Sequence, residues 1–165
     1  KTGSAQGTEK DTGLIMTPKD AVAAYADVLQ NGASSQYAQK FADDDLRAKL
    51  ADLTGQVQKA MELNEGSQQQ VFTPVDGAIS VMRSADGGDL VVARINSEWT
   101  RSAGSGRESQ PASDAEKALF GDGRATSTMK TTYVNVIALY VPPANSGEKI
   151  TAVGSERQPV KVEAL

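Results

Sequence analysis

Neither histidine nor cysteine occurs among the 165 residues, and this bounds the available chemistry before any motif is considered. A Ser-His-Asp or Cys-His relay and an imidazole metal site all need histidine. A thiolate nucleophile, a zinc knuckle, an iron–sulfur cluster or a disulfide needs cysteine. Any catalysis therefore falls to Asp, Glu, Lys, Tyr, Ser or Thr. The densest acidic cluster, Asp43-Asp44-Asp45, is consecutive, whereas a calcium loop spaces its ligands and turns at a glycine. Three acids ahead of a helical stripe read instead as a favourable helix N-terminus. No G-x-x-x-x-G-K-[ST] phosphate cradle and no N-x-[ST] glycosylation acceptor is present. The glycine-rich run Ser102–Gly106 leads into polar loop, not into a helix. Gly121-Asp-Gly-Arg124 reads as a helix stop and turn. The sequence thus predicts no cofactor and no metal site.

The stretch ATSTMKTTYVNVIALYV, residues 125–141, is the strand around which the other elements are expected to assemble. It is rich in β-branched and aromatic residues and stops at Pro142-Pro143, which cannot donate to a ladder. Tyr133, Ile137, Leu139 and Val141 alternate with Val134, Val136, Ala138 and Tyr140. A strand apolar on both sides predicts a central position with both faces covered. The length suits one domain. With 39% hydrophobic and 5% aromatic residues, the core should be thin and aliphatic. A net charge of −4 disfavours nucleic acid and anionic lipid, and no apolar run approaches the ~20 residues that span a bilayer.

Along the chain, residues 1–13 have linker composition, and the start at Lys1 suggests a polar tether left after removal of a signal or a lipidated segment. A single domain is expected over 14–165. Thr17-Pro-Lys-Asp20 opens a first helix with cap, proline and capping-box spacing, and Asn31-Gly32 stops it. A short helical piece over 36–41 and a longer helix from the Asp triplet to about Glu65 follow. The longer helix carries Leu46, Leu50, Leu53, Val57 and Met61 on one stripe, expected to lie across the sheet, with a kink or break at Gly55. Strands are expected over 70–83 and 90–101, joined by the hairpin loop 84–89. In the second of these, Val91, Ala93, Ile95, Ser97 and Trp99 face inward, while Val92, Arg94, Asn96, Glu98 and Thr100 face solvent. The 23-residue connection 102–124 contains a capping box at Ser113–Glu116 and a short helix bearing Leu119 and Phe120. Such long loops tend to be functional or mobile. Either these two residues tuck onto the core, or the segment is a lid or partner-contact arm. A last strand, broken or bulged at Pro159, closes the chain.

The predicted fold class is α+β, with two to three N-terminal helices packed on a four-stranded antiparallel meander. This arrangement, spanning Thr17 to Leu165, resembles the cystatin-like and NTF2-like superfold. The Ala/Gly/Ser/Asp/Gln bias, the polar tether and the run ALYVPPANSGEKITAVGSE resemble exported lipoprotein domains of high-GC Gram-positive (actinobacterial) bacteria. The resemblance implies an extracellular or cell-surface location, lipid-anchored through a removed N-terminal segment.

Three functions are compatible with these features. The first expectation is a non-catalytic, surface-tethered extracytoplasmic domain that binds an envelope protein or cell-wall component, with Leu119, Phe120 and Trp99 as candidate binding residues. The second is a small-ligand pocket. Resemblance to NTF2-like proteins implies a buried carboxylate base beside a tyrosine acid there, with Asp27, Glu98, Tyr25 and Tyr133 as candidates and Trp99 beside them. The third is a structural spacer or assembly module, as a homo-oligomer burying a sheet face. The first is preferred, which predicts that the protein is not an enzyme.

Overall fold

A computed structural model describes residues 5–165. Helix α1 (Pro18–Asn31) and helix α2 (Asp45–Leu63) are joined by two 3-10 turns and precede strands β1 (Ser67–Arg83) and β2 (Asp89–Ser102). Helix α3 (Asp114–Phe120) interrupts the connection to β3 (Thr128–Val141), and β4 (Thr151–Ala164) ends the chain. The four strands form one antiparallel meander in the order β1-β2-β3-β4. The expected α+β fold is present, with three helices on one sheet.

The first helix starts and stops where its residues dictate. Thr17 Oγ1 accepts from Asp20 N at 3.2 Å, Pro18 occupies the first turn, and Gly32 takes φ 57° while its N–H closes on Val28 O. Ala21, Val22, Tyr25 and Val28 are buried against the inner sheet face, where they meet Val91, Ile95, Ile137 and Leu139. At roughly 1.5–3 kcal/mol for each buried Val, Leu or Ile side chain, this layer is the main apolar stabilisation of the domain.

Helix α2 departs from its expected role. Asp44 caps it by accepting from Arg47 N at 2.8 Å, as the acidic run implies. The helix continues unbroken through Gly55, whose solvent-facing position crowds nothing. Of the predicted stripe only Leu46 and Leu50 are buried, while Leu53, Val57 and Met61 stay partly exposed. The cause is steric: α1 already occupies the sheet face. α2 is left standing over the β1 side, tied down by Gln68, whose Nε2 donates to Thr54 O at 3.0 Å.

The strand alternation holds over both central strands. Val91, Ala93, Ile95, Ser97, Trp99 and Arg101 of β2 are buried, as are Met129, Thr131, Tyr133, Asn135, Ile137, Leu139 and Val141 of β3. The expectation that both faces of β3 are covered is corrected. All three helices sit on the inner side; on the outer face Tyr140 packs on Gly88 of the hairpin loop, and Val134, Val136 and Ala138 have no helix over them, with Val136 41% exposed.

Both sheet edges are protected. Part of the predicted tether pairs with β1, through Gly7 N to Val81 O (3.0 Å) and Arg83 N to Ala5 O (2.8 Å). Asp11 then locks this segment to Arg83 at 3.0 Å. Residues 5–13 are therefore docked on the domain; the remainder of the predicted tether lies outside the described residues. On the opposite edge, register shifts interrupt β4 near Val153 and Val160, and Pro159 sits beside the second as predicted.

Candidate functional site

The inner sheet face changes character halfway along its strands. Toward Val91 and Leu139 it is aliphatic and capped by α1. Toward Arg101 and Met129 it carries Ser97, Trp99, Arg101, Thr131, Tyr133 and Asn135, with Arg157 reaching in from β4. The long connection covers this half. Its first part is pinned by Ser109, whose hydroxyl bridges Arg101 O at 3.0 Å and Ser127 O at 2.8 Å. Ser113 then caps α3 by accepting from Glu116 N at 3.2 Å, and one turn of helix delivers the Glu116 carboxylate into the interior.

Glu116 is fully buried, and both its oxygens are engaged. Oε1 accepts from Arg101 Nη2 at 2.7 Å and from Thr131 Oγ1, and Oε2 accepts from Ala112 N at 3.2 Å. Arg101 lies over the Trp99 ring, 4.2 Å from its centroid. Arg157 stacks on Tyr133 at 3.7 Å and donates to Ser97 Oγ at 3.1 Å and Asn135 Oδ1 at 3.0 Å. Arg101 is thus paired with the carboxylate, Arg157 is held by neutral acceptors, and each guanidinium rests against an aromatic face. Burial lowers the pKa of Arg157, while burial and then the Glu116 charge push the Tyr133 hydroxyl up to about 12. A phenol so hard to ionise is a poor acid near neutrality. Among the described residues, Arg101 Nη1 and Arg157 Nη2 find no hydrogen-bond partner.

The open space lies beside this cluster. A groove of about 700 Å³ runs between α2 and the start of the connection. Val57 and Met61 form its helix wall, Arg107 to Gln110 its opposite wall, and Arg101 contributes to its floor. Two glycines set how closely the walls meet at one end. A Cβ on Gly104 would stand 1.8 Å from Asn64 O, and one on Gly66 would stand 2.7 Å from Ser102 O. A second groove of about 800 Å³ flanks α2 on its other side, between Asn31, Arg47 and Phe72.

The predicted site residues do not converge. Asp27 sits on α1 and accepts from Asn31 Nδ2 at 3.0 Å and Ser35 Oγ at 2.5 Å. Glu98 points out on the other face of the sheet, near Lys130 at 3.9 Å. Neither is a buried carboxylate beside a tyrosine. Tyr25 is buried in the α1 core, where burial holds its hydroxyl protonated far above the usual tyrosine range. Trp99 is fully buried and donates its indole N–H to Gln68 Oε1 at 2.9 Å, so it contributes no surface to a partner. Leu119 is 45% exposed on α3, and the Phe120 ring covers Gly123. The buried carboxylate beside a tyrosine is Glu116, which sequence reasoning saw only as a capping residue. Its partners Arg101 and Thr131 lie in phase with the inward alternation of β2 and β3, the signal that could have found them.

Among the described residues no cluster of three or more potential metal ligands occurs, and no helix is long and apolar enough to cross a membrane. No family model matches the chain, and no curated protein or solved structure is significantly similar to it.

Proposed function

We propose that this chain is a non-catalytic binding domain, tethered at the cell surface on the extracytoplasmic side, that holds an envelope protein or cell-wall component in the groove between α2 and residues 103–112. The observation that carries this reading is the division of space around Arg101. On the sheet side Glu116 is fully buried and both its oxygens are engaged by Arg101, Thr131 and Ala112. On the helix side an open groove of about 700 Å³ exposes apolar Val57 and Met61 opposite Arg107. Such a groove suits an extended segment with an apolar group for Met61 and a carboxylate or carbonyl for Arg107 and the groove floor. Addition of a strand to the sheet is a poorer route, because both edges are blunted.

A photo-crosslinking residue in place of Gln110, on the groove wall, tests this in intact cells. The expected result is one dominant adduct, to an envelope protein or a wall fragment, that is lost in Met61→Glu and absent when the crosslinker replaces Asp20 on α1. Adducts of equal yield from both positions, or a groove adduct that survives Met61→Glu, refute the reading.

A further inference from the structure

We infer that the uncovered outer face of the sheet is a self-complementary surface on which a second copy of this chain docks about a two-fold axis along β3. The register aligns the outer residues of the last three strands in rows. Arg94, Val136 and Glu156 form one row; Asn96, Val134 and Gln158 form the next; Glu98, Thr132 and Lys161 form the third. A two-fold axis lying along β3 in the plane of contact leaves β3 facing itself and exchanges β2 with β4. Arg94 of each copy then faces Glu156 of the other, Asn96 faces Gln158, and Glu98 faces Lys161. Valines 134 and 136 meet their own counterparts at the centre. Aligned sheets cross at about 30°. With the axis centred on Val134, that rotation displaces the adjoining rows by only about 3–4 Å, using a spacing of about 6.8 Å between same-face residues. Long charged side chains span that offset.

Three observations favour a second copy over an unrelated partner. Arg94 and Glu156 are exposed, and among the described residues neither makes an ion pair within the chain. They lie on opposite sides of Val136, two strands apart and thus about 10 Å from each other. Second, Arg94, Lys130 and Lys161 balance Glu98, Glu156 and Glu163 on this face, although the chain as a whole carries −4. A neutral face lets two acidic molecules approach each other. Third, nothing within the chain requires glycine at Gly154: its φ is not positive, and a Cβ there would meet only Ala138 Cβ, at 3.9 Å. Gly154 lies two rows from Val134, where the crossing displaces the facing row by about 7 Å, and a flat spot there lets the side chains of the other copy's β2 pass over β4. The axis along β3 overlaps β2, β3 and β4 and leaves β1 outside, so three strands at about 4.8 Å spacing and some ten residues of length give roughly 480 Å² per copy, or about 950 Å² in all. An area of that size suits a weak, reversible dimer, in which the charge pairs beside the axis set the specificity.

Sedimentation equilibrium on the purified chain, from about 1 to 200 µM, tests the inference. The expected result is a reversible dimer of the 17.3 kDa chain. Arg94→Glu sets like charges against each other twice in every dimer, as does Glu156→Arg, and each is expected to raise the dissociation constant roughly ten-fold or more. The double variant R94E/E156R restores dimerisation to within about three-fold of wild type, because the swapped charges face each other again. Unchanged Trp99 emission and circular dichroism certify the fold of these surface variants. A wild-type chain that stays monomeric at 200 µM overturns the inference. So does a dimer that the single changes leave intact, or one that the double change fails to restore.

Discussion

Replacing Asp89 with Asn should stabilise the protein at pH 8 and leave it unchanged near pH 4. Asp89 opens β2 at the hairpin, 3% exposed, beside Asp11 and Arg83. Two carboxylates thus share one guanidinium, and only Asp11 is hydrogen-bonded to it. Arg83 therefore holds the Asp11 carboxyl well below the usual carboxylate range. Burial, and then Asp11, push Asp89 up to about 6 from an ordinary 3.8. The sign follows from these shifts. Below the unfolded value near 3.8, Asp89 is protonated in both states and its charge costs nothing. As pH rises from there toward 6, folding takes up a proton, so stability falls, and above 6 the loss is complete. Asp11 contributes in the opposite sense: its stabilisation is full above the ordinary carboxylate range and is lost as pH falls through its depressed value. The Asp89 displacement of about 2 units corresponds to ~3 kcal/mol without screening. Arg83 beside it is half exposed, so solvent takes part of this and about 1–2 kcal/mol is expected. Urea unfolding of wild type and Asp89→Asn at pH 4 and pH 8 measures it directly. The gain should appear only at pH 8. A stabilisation equal at both pH values, or a destabilised variant at pH 8, would refute the argument that the second carboxylate is held there at a cost.

Three further outcomes follow from the site. Glu116→Gln removes the carboxylate paired with buried Arg101; a loss of about 3–5 kcal/mol is expected in urea unfolding, with altered Trp99 emission as the guanidinium leaves its ring. A loss below 1 kcal/mol would mean the pair is not desolvated. Gly104→Ala places a methyl group against Asn64 O; it should cost about 2 kcal/mol and free the start of the connection, read as faster tryptic cleavage after Arg107. Unchanged cleavage would show that the glycine crossing does not hold the groove wall. Leu119→Glu should change stability by less than about 0.5 kcal/mol, since Leu119 is 45% exposed; a loss above 1.5 kcal/mol would place this side chain in the core.

The local signals that were legible are those in which each residue acts on its near neighbours. Thr17 and Ser113 cap the helices they were expected to cap, and Asp44, expected as one of three acids favouring a helix N-terminus, caps α2, because a cap needs only a side-chain oxygen three residues from an N–H. The alternation of β2 reads correctly for a similar reason: period two fixes the face whatever lies above it. The site was less legible because it depends on competition between elements. The stripe on α2 is as apolar as a core stripe, yet α1 reaches the sheet first and the later half of the stripe becomes a groove wall. Glu116 has the spacing of a capping box, and its backbone N–H is indeed held by Ser113. Its carboxylate, however, turns to an arginine 15 residues earlier, and no local pattern encodes that distance.

The outer face shows how a correct pattern can carry a wrong inference. Apolar residues on both sides of β3 were expected to mean cover on both sides, and the inner side has it. The outer side exposes Val136 between Arg94 and Glu156 and leaves Val134 and Ala138 half-buried, with no element over them among the described residues. A solvated face would be expected to alternate with polar residues along β3, as the outward residues of β2 do from Arg94 to Thr100. β3 does not, although it is the strand on which a two-fold axis would place each residue against itself. Apolar residues on that line and opposite charges on either side are what self-recognition requires, because a charge on the axis meets its own sign while a charge beside it meets its neighbour's. The apolar pattern therefore still predicts cover for both faces, with the second layer supplied by another copy of the chain.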